Sequence, residues 1–451
     1  MSTDTPQSGE TTPGEATLHA PEGHVGPGGA PGVEAVGGIE IRTVGEADLG
    51  AWGAAVAVGF MRSGTPEALE YRRLRHVPGR TLGAFDGGRC VATYRSFPTE
   101  LTVPGGALLP ASAITTVTTT QTHRRRGLLT RMMNQDLAAS RERGEAVAIL
   151  VAAEYGIYGR YGFGPATRMH GWEIDLGHAG GLRAGLPQAT GGRIELIDMD
   201  ELGKLGPEFH ERWRRTRPGA IARDESSWKL ITGAVRPPAS EWKEPFAAVH
   251  RTAEGTVTGL VRYAIEDTWD HSNPNCRLTV QDFLAIDQPT ANTLWQYLFS
   301  VDWVRRVLVQ NIGPDDPLPL LLQNPRAAIP CEENFDLMWL RVLDVPAAFG
   351  ARTYASAGRV VLDVSDPGGG GHAAGRWALE ADADGTGRAV PTADDADLAL
   401  SASALGTLYL GAESAARLAA ASLVTERRAG AVAALDALLR TPLKAWNPDE
   451  F

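Results

Sequence analysis

Hydrophobic positions along the chain fall into three patterns, each predicting a different kind of element. Residues 115–120 are β-branched at every position and read as a strand. After a short basic stretch, Leu128, Leu129, Met132, Met133 and Leu137 recur at helical spacing, and Gly144 is placed to end the helix. Residues 146–153 form a nearly unbroken apolar run of strand length, the pattern of a strand covered on both faces. Further strands are predicted at 39–42, 193–196, 247–250, 256–265, 278–286 and 360–364. Helices are predicted at 291–301, 402–410, 412–423 and 432–439. Their order gives an α+β architecture. Alanine dominates the last helices, and small side chains there either let helices approach closely or leave a cavity. Residues 1–38, rich in Gly, Pro, Ser and Thr with few large apolar side chains, are expected to be a disordered tail.

The stretch between the 115–120 strand and the helix is His123-Arg124-Arg125-Arg126-Gly127-Leu128-Leu129. Backbone N–H groups at a helix start have no intrahelical partner and sit at the positive end of the helix dipole, so this junction is an anion site, assisted by Arg124 and Arg125. A nucleotide-like ligand with a pyrophosphate is implied. An arginine run alone is more often solvated surface or a nucleic-acid contact. A second stretch, Glu154 to Thr167, carries Gly156, Gly159, Gly162 and Gly164 among Tyr155, Tyr158, Tyr161 and Phe163. Aromatic-rich turns usually serve a core, but four glycines argue for close backbone approach, and their spacing is not the dinucleotide fingerprint.

Together these stretches resemble the GNAT acetyltransferases. The pyrophosphate turn of that family is Gln or Arg, two residues, Gly, one residue, then Gly or Ala; Arg124, Arg125, Arg126, Gly127 and Leu128 fit it and Leu129 departs from it. With Thr122-His123 before the turn and Leu128-Leu129 after it, the chain is similar to the enhanced intracellular survival (Eis) branch, where that departure is usual. The resemblance runs from about residue 40 and also covers Glu211 to Arg214, Asp316 to Pro319, Met338 to Arg341 and the final Phe451.

The resemblance implies two tandem GNAT-type domains, a catalytic one at 39–190 and a cofactor-free one at 191–343, then a sterol-carrier-like α+β domain at 344–451. It implies an acetyl-CoA-dependent N-acetyltransferase working by direct transfer to a primary amine, either a small molecule (an aminoglycoside or other amine) or a peptide lysine. Cofactor contacts fall on Val117, Thr118, Thr119, Arg124, Arg125, Arg126, Gly127, Leu128 and Leu129. Tyr158 matches the general acid, and a phenol of ordinary pKa about 10 stays protonated at neutral pH. The α-carboxylate of Phe451 matches the base. With a pKa of about 3.5 it is intrinsically weak, so either burial raises it or it acts through water on an amine that arrives neutral. A homohexamer is implied. Family members with broad aminoglycoside activity carry an acidic residue where this chain has Arg62 and a Phe where it has Thr116, so multi-site aminoglycoside acetylation is not expected.

Composition narrows the alternatives. The chain has 451 residues, 43% apolar and 22% charged, a soluble globular balance that supports about three domains of roughly 150 residues. No apolar run approaches the roughly 18 residues of a membrane helix, and Met1 to Glu10 lack a secretory signal, so the expected location is the cytoplasm, without membrane association. Cys90, Cys276 and Cys331 are too widely spaced for a zinc site or disulfide framework. Residues 382–387 resemble the start of a calcium loop, but the twelfth position is Ala393, so no metal is expected. The net charge of −11 tilts toward a cationic substrate. RNA binding through Arg124 to Arg126 is disfavoured by that charge and by a lack of other basic clusters, so no nucleic-acid partner is expected. The rival reading is a catalytically weak binding protein that carries an apolar ligand in its last domain.

Overall fold

The structure, a computed structural model, describes residues 34–36, 38–63, 66–236, 242–332 and 335–451. Most of the predicted tail lies outside the described residues, but Glu34–Val36 is a strand antiparallel to Ile39–Thr43, so order begins before residue 39.

Three main sheets organise the described chain, with eight, seven and five strands. In the first, Ile39–Thr43, Thr81–Asp86, Arg89–Thr102 and Leu108–Thr119 form an antiparallel run. Leu108–Thr119 then pairs in parallel with Val147–Val151, the two joined by the helix Leu128–Glu142. That helix lies on one face, with Leu128, Met132, Met133 and Leu137 packed among Tyr94, Ile114, Leu150 and Trp339. Burying each such side chain contributes roughly 1.5–3 kcal/mol. Asp136 is buried under the helix, where its carboxylate accepts from the Tyr94 hydroxyl at 3.0 Å and from Ser96 at 2.8 Å. The opposite face packs against the third sheet and its helices in one continuous core, Val147, Ile149, Met338 and Leu340 meeting Leu362, Leu398 and Leu405. With both faces covered, the unbroken apolar run at 146–153 has its physical reason.

The first two sheets exchange strands. Met338–Val342 lies between Val147–Val151 and Gly164–Pro165 in the first sheet. Reciprocally, Trp172–Asp175 lies between Val304–Val309 and Ala328–Pro330 in the second. The contiguous ranges 39–190 and 191–343 therefore do not follow the sheets. Each stretch donates a strand to the other's sheet.

Two of the four glycines around Tyr158 serve this junction. A Cβ on Gly162, where φ is +79°, would lie 1.7 Å from Arg341 Nη1, and one on Gly164 would lie 2.0 Å from the Ser403 carbonyl oxygen. Arg341 is fully buried, pairing with Asp366 at 2.9 Å and donating to the Gly369 carbonyl. Close approach is thus to Arg341 of Met338–Val342 and to the helix Ala402–Tyr409, whereas Gly156 and Gly159 face open space. The alanine-rich region uses small residues in the same way, since a Cβ on Gly406 would lie 2.1 Å from the Leu340 carbonyl.

Candidate active site

The strand Leu108–Thr119 stays with Val147–Val151 for four positions, Ala111 to Ile114, and then leaves it. From Thr115 to Thr119 that backbone edge has no strand beside it among the described residues, and an unpaired polar edge requires another partner. A bulge adds to the distortion. Thr93 pairs with Thr118 and Arg95 with Thr115, which leaves Thr116 and Val117 opposite Tyr94 alone, and Thr116 takes a φ of 57°. Thr93 fixes the bulge by donating to the Thr116 carbonyl at 2.9 Å and lying 2.7 Å from the Thr118 hydroxyl. Val117, Thr118 and Thr119 thus form one arm of a V-shaped opening.

At the base of the V the basic turn enters the helix. The turn Gln121–His123 is fastened by His123, whose Nε2 lies 3.1 Å from Asp86 and whose Nδ1 lies 2.8 Å from the Thr122 hydroxyl. Arg125 at φ 64° and Gly127 at φ 73° are both left-handed, the alternation that turns successive N–H groups into an anion-binding concavity. Gly127 occupies the cap position and offers no side chain, so the first N–H groups of the helix remain open. Arg124, Arg125 and Arg126 are exposed around it, Arg126 donating to the Thr122 carbonyl at 3.3 Å. Leu128 is buried and Leu129 half-buried, so these two contribute backbone rather than side chain to the opening. The donors fit a pyrophosphate: open N–H groups, a positive dipole end and free guanidinium groups.

The other arm carries Tyr158, at the end of the short helix Tyr155–Tyr158 that follows Val147–Val151. It is 8% exposed, its ring edge-on to Phe163 with centroids 6.4 Å apart. Burial, then the neighbouring Glu154 and Tyr161, push its phenol up to about 12, so it keeps its proton throughout the neutral range.

Phe451 arrives from the far end of the chain along an anchored path. Trp446 donates its backbone N–H to the Pro218 carbonyl and its indole N–H to Asn311 at 2.7 Å, and Asn311 in turn donates to the Asn447 carbonyl. Asp449 pairs with Arg223 at 2.8 Å, and Arg223 also holds Asp282 at 2.7 Å. The Phe451 ring then meets Phe97 edge-on, centroids 5.8 Å apart, and Phe97 pairs with Ala113 on the strand that bears the bulge. Val117, Thr118 and Thr119 thus lie on Leu108–Thr119 and Arg124 to Leu129 follow it directly, while Tyr158 packs in the core of the helix-covered face and Phe451 against the core of the opposite face, beside Phe97.

A group that sequence reading missed lies beside them. Trp52, Val56, Phe60, Tyr71, Arg62, Arg72, Arg75, Arg95, Thr115 and Thr116 line a cavity of about 270 Å³. Arg62 and Thr116 share this one cavity. The run Tyr71-Arg72-Arg73-Leu74-Arg75 is a second basic cluster, contrary to the expectation that none exists, and it was the signal to follow. Among the described residues no group of three or more His, Cys, Asp or Glu side chains is placed to hold a metal ion, and no helix is long and apolar enough to cross a membrane.

Known proteins share this arrangement. Residues 40–166 and 219–342 each match an acetyltransferase (GNAT) domain family, and residues 345–448 match the sterol carrier protein domain family. An N-acetyltransferase of Streptomyces avermitilis is 50% identical, the match covering 92% of this chain and 99% of that protein. The N-acetyltransferase Eis of Mycobacterium tuberculosis is 32% identical over 86% of this chain and 93% of its own. The crystal structure of Eis1 from Mycobacterium abscessus superposes with a TM-score of 0.79 at 30% identity, over 92% of this chain and all of that one. The likeness extends through both exchanged sheets and the sterol-carrier-like region, and the chain belongs to the Eis family of GNAT N-acetyltransferases.

Proposed function

We propose that this N-acetyltransferase passes an acetyl group directly from acetyl-CoA to a primary amine seated in the opening beside Leu108–Thr119. One observation carries the reading: a strand edge left unpaired from Thr115 to Thr119 runs down to an uncapped helix start ringed by Arg124, Arg125 and Arg126. Acyl transfer makes two demands that the chain can meet. Negative charge grows on the carbonyl oxygen, and a backbone N–H at the bulge around Val117 to Thr119 is fixed in advance to receive it. The departing thiolate needs a proton, and Tyr158 holds one well above neutral pH. The amine's proton goes to the α-carboxylate of Phe451, whose ring is seated on the same sheet at Phe97.

The test is thiol release from acetyl-CoA. Replacing Tyr158 with Phe keeps the ring and removes only the donor, so kcat should fall by about a hundredfold or more with coenzyme binding unchanged. Adding one Gly after Phe451 should cost a comparable factor, since displacements near 1 Å can cost about a hundredfold. Near-normal turnover in the first would assign Tyr158 to packing, and in the second would remove Phe451 from the chemistry.

A further inference from the structure

The cavity beside the bulge is lined by four arginines, of which Arg95 is buried, Arg72 and Arg75 are half-buried and Arg62 is exposed. Arg95, on the strand Arg89–Thr102, is 6% exposed, and its Nε is buried without a hydrogen-bond partner. One of its terminal nitrogens donates to the Arg75 carbonyl, and Arg75 donates to the Tyr71 hydroxyl at 2.8 Å. Arg72 lies against the helix Leu49–Gly59 at Gly53, where its Cδ would be 3.1 Å from an added Cβ, and its Nε is likewise buried and unpartnered. Arg62 completes the group from the exposed side. Among the described residues none of the four forms an ion pair with a carboxylate, whereas Arg214, Arg223 and Arg341 pair with acids and the buried Arg352 is held by carbonyls alone. Burial first, then the repulsion of Arg75 beyond the attraction of Tyr71, brings the Arg95 guanidinium down to about 9, still charged at neutral pH.

Guanidinium is the side chain best shaped to bind an oxyanion, and the four that line this cavity have no carboxylate paired with them among the described residues. Thr115 and Thr116 form the wall shared with the bulged strand, so a molecule in this cavity touches the strand where acetyl transfer is proposed. At about 270 Å³ the space lies at the small end of ligand pockets, which run roughly 300–1,000 Å³. Trp52, Val56 and Phe60 supply an apolar wall beside the charges.

We infer that the acceptor is a small amine that also carries an oxyanion, a carboxylate foremost, which Arg72 and Arg95 bind while an apolar portion lies against Trp52 and Phe60. This rests on the acetyltransferase reading and refines it. A polycationic acceptor would meet four like charges here, so the local field reverses the preference that the net charge of −11 suggested.

Turnover of phenylalanine, phenylalaninamide and phenethylamine isolates the carboxylate at nearly constant shape. Phenylalanine should be preferred by at least about tenfold in kcat/KM, and Arg72→Gln should lower its value about 10- to 100-fold while moving the amide less than about threefold. O-Phosphoethanolamine against ethanolamine separates a phosphate preference from a carboxylate one. Equal or better turnover of the uncharged amines, or of spermidine, overturns the inference. N-Acetylphenylalanine, which has no amine to acetylate, supplies a readout independent of catalysis by calorimetry. If no amine is turned over yet this acid binds wild type and binds Arg72→Gln at least about tenfold more weakly, the anion site stands and the acetyltransferase reading falls. Binding that is absent, or unchanged in the variant, sinks the anion site. Because Arg72 is only half-buried and has no ion-pair partner among the described residues, Arg72→Gln should fold with a melting temperature near that of wild type.

Discussion

The first and second sheets present the same strand, helix, parallel strand sequence, yet their helix starts are chemically opposite. In the first, Leu108–Thr119 and Val147–Val151 flank a helix entered through Gly127, with no side-chain cap and three arginines around it. In the second, Cys276–Ala285 and Val304–Val309 flank the helix Gln288–Phe299, which is entered through Asp287. The Asp287 carboxylate accepts from the Thr290 N–H at 2.8 Å, and Pro289 supplies no N–H at all. A cavity of about 280 Å³ lies there too, lined by Asp287 and by Asp316, whose carboxyl burial pushes up to about 6. Backbone architecture thus provides the opening in both sheets, but an acid at the helix start occupies the N–H groups and repels a pyrophosphate, whereas glycine leaves them available. An acid at the cap, a proline in the first turn and the lack of an arginine run together set the second helix start apart from the first.

That contrast can be broken directly. Gly127→Asp places the second sheet's carboxylate at the first sheet's helix start, and Gly127→Asn gives nearly the same shape and tolerance of positive φ without the charge. Coenzyme A affinity by calorimetry should fall about a hundredfold or more in the Asp variant and much less in the Asn variant; equal losses would show that geometry rather than charge separates the two sheets. A smaller effect concerns acid tolerance. Burial first, then Arg223, depresses His210 in the second region to about 2 from its ordinary 6.5. The unfolded chain takes up that proton first, so stability is complete above about pH 6.5 and declines as the pH falls. By pH 5 the loss should reach about 2 kcal/mol. His210→Phe, which keeps a ring beside Trp213 and Trp228, should flatten the melting-temperature profile between pH 7 and 5, and an unchanged slope would assign the acid sensitivity to other groups. Smallest of all, Asp287→Ala should cost about 1 kcal/mol of cap energy, seen as a lower denaturation midpoint, with no coenzyme binding gained at the second site. A gain would mean that the carboxylate alone had been blocking it.

How much of this could be read from sequence depended on range. The turn at 124–129 and its helix were legible because strand, basic turn and helix are consecutive and each has a local signature. Strand exchange was not, since neither the buried run Met338–Val342 nor the half-buried alternation Trp172–Asp175 marks which neighbour it pairs with. The glycines after Tyr158 announced close approach without naming what approaches, which for Gly162 is Arg341. Arg72 and Arg75 lay in plain view as a basic run at helical spacing, but Arg95 joins them only through a fold that brings its strand under that helix.

Exchanged strands also govern when the enzyme can come into being. Met338 pairs with Val151 across roughly 190 residues of intervening chain, so the first sheet, although encoded first, stays open until nearly all of the second has been translated. At 5–20 residues per second that is a wait of about 10–40 s with the strand edge of Val147–Val151 exposed on the ribosome. Synthesis order and folding order are thereby uncoupled: the first sheet cannot be completed when its own stretch has been made, and closes only once Met338–Val342 has followed.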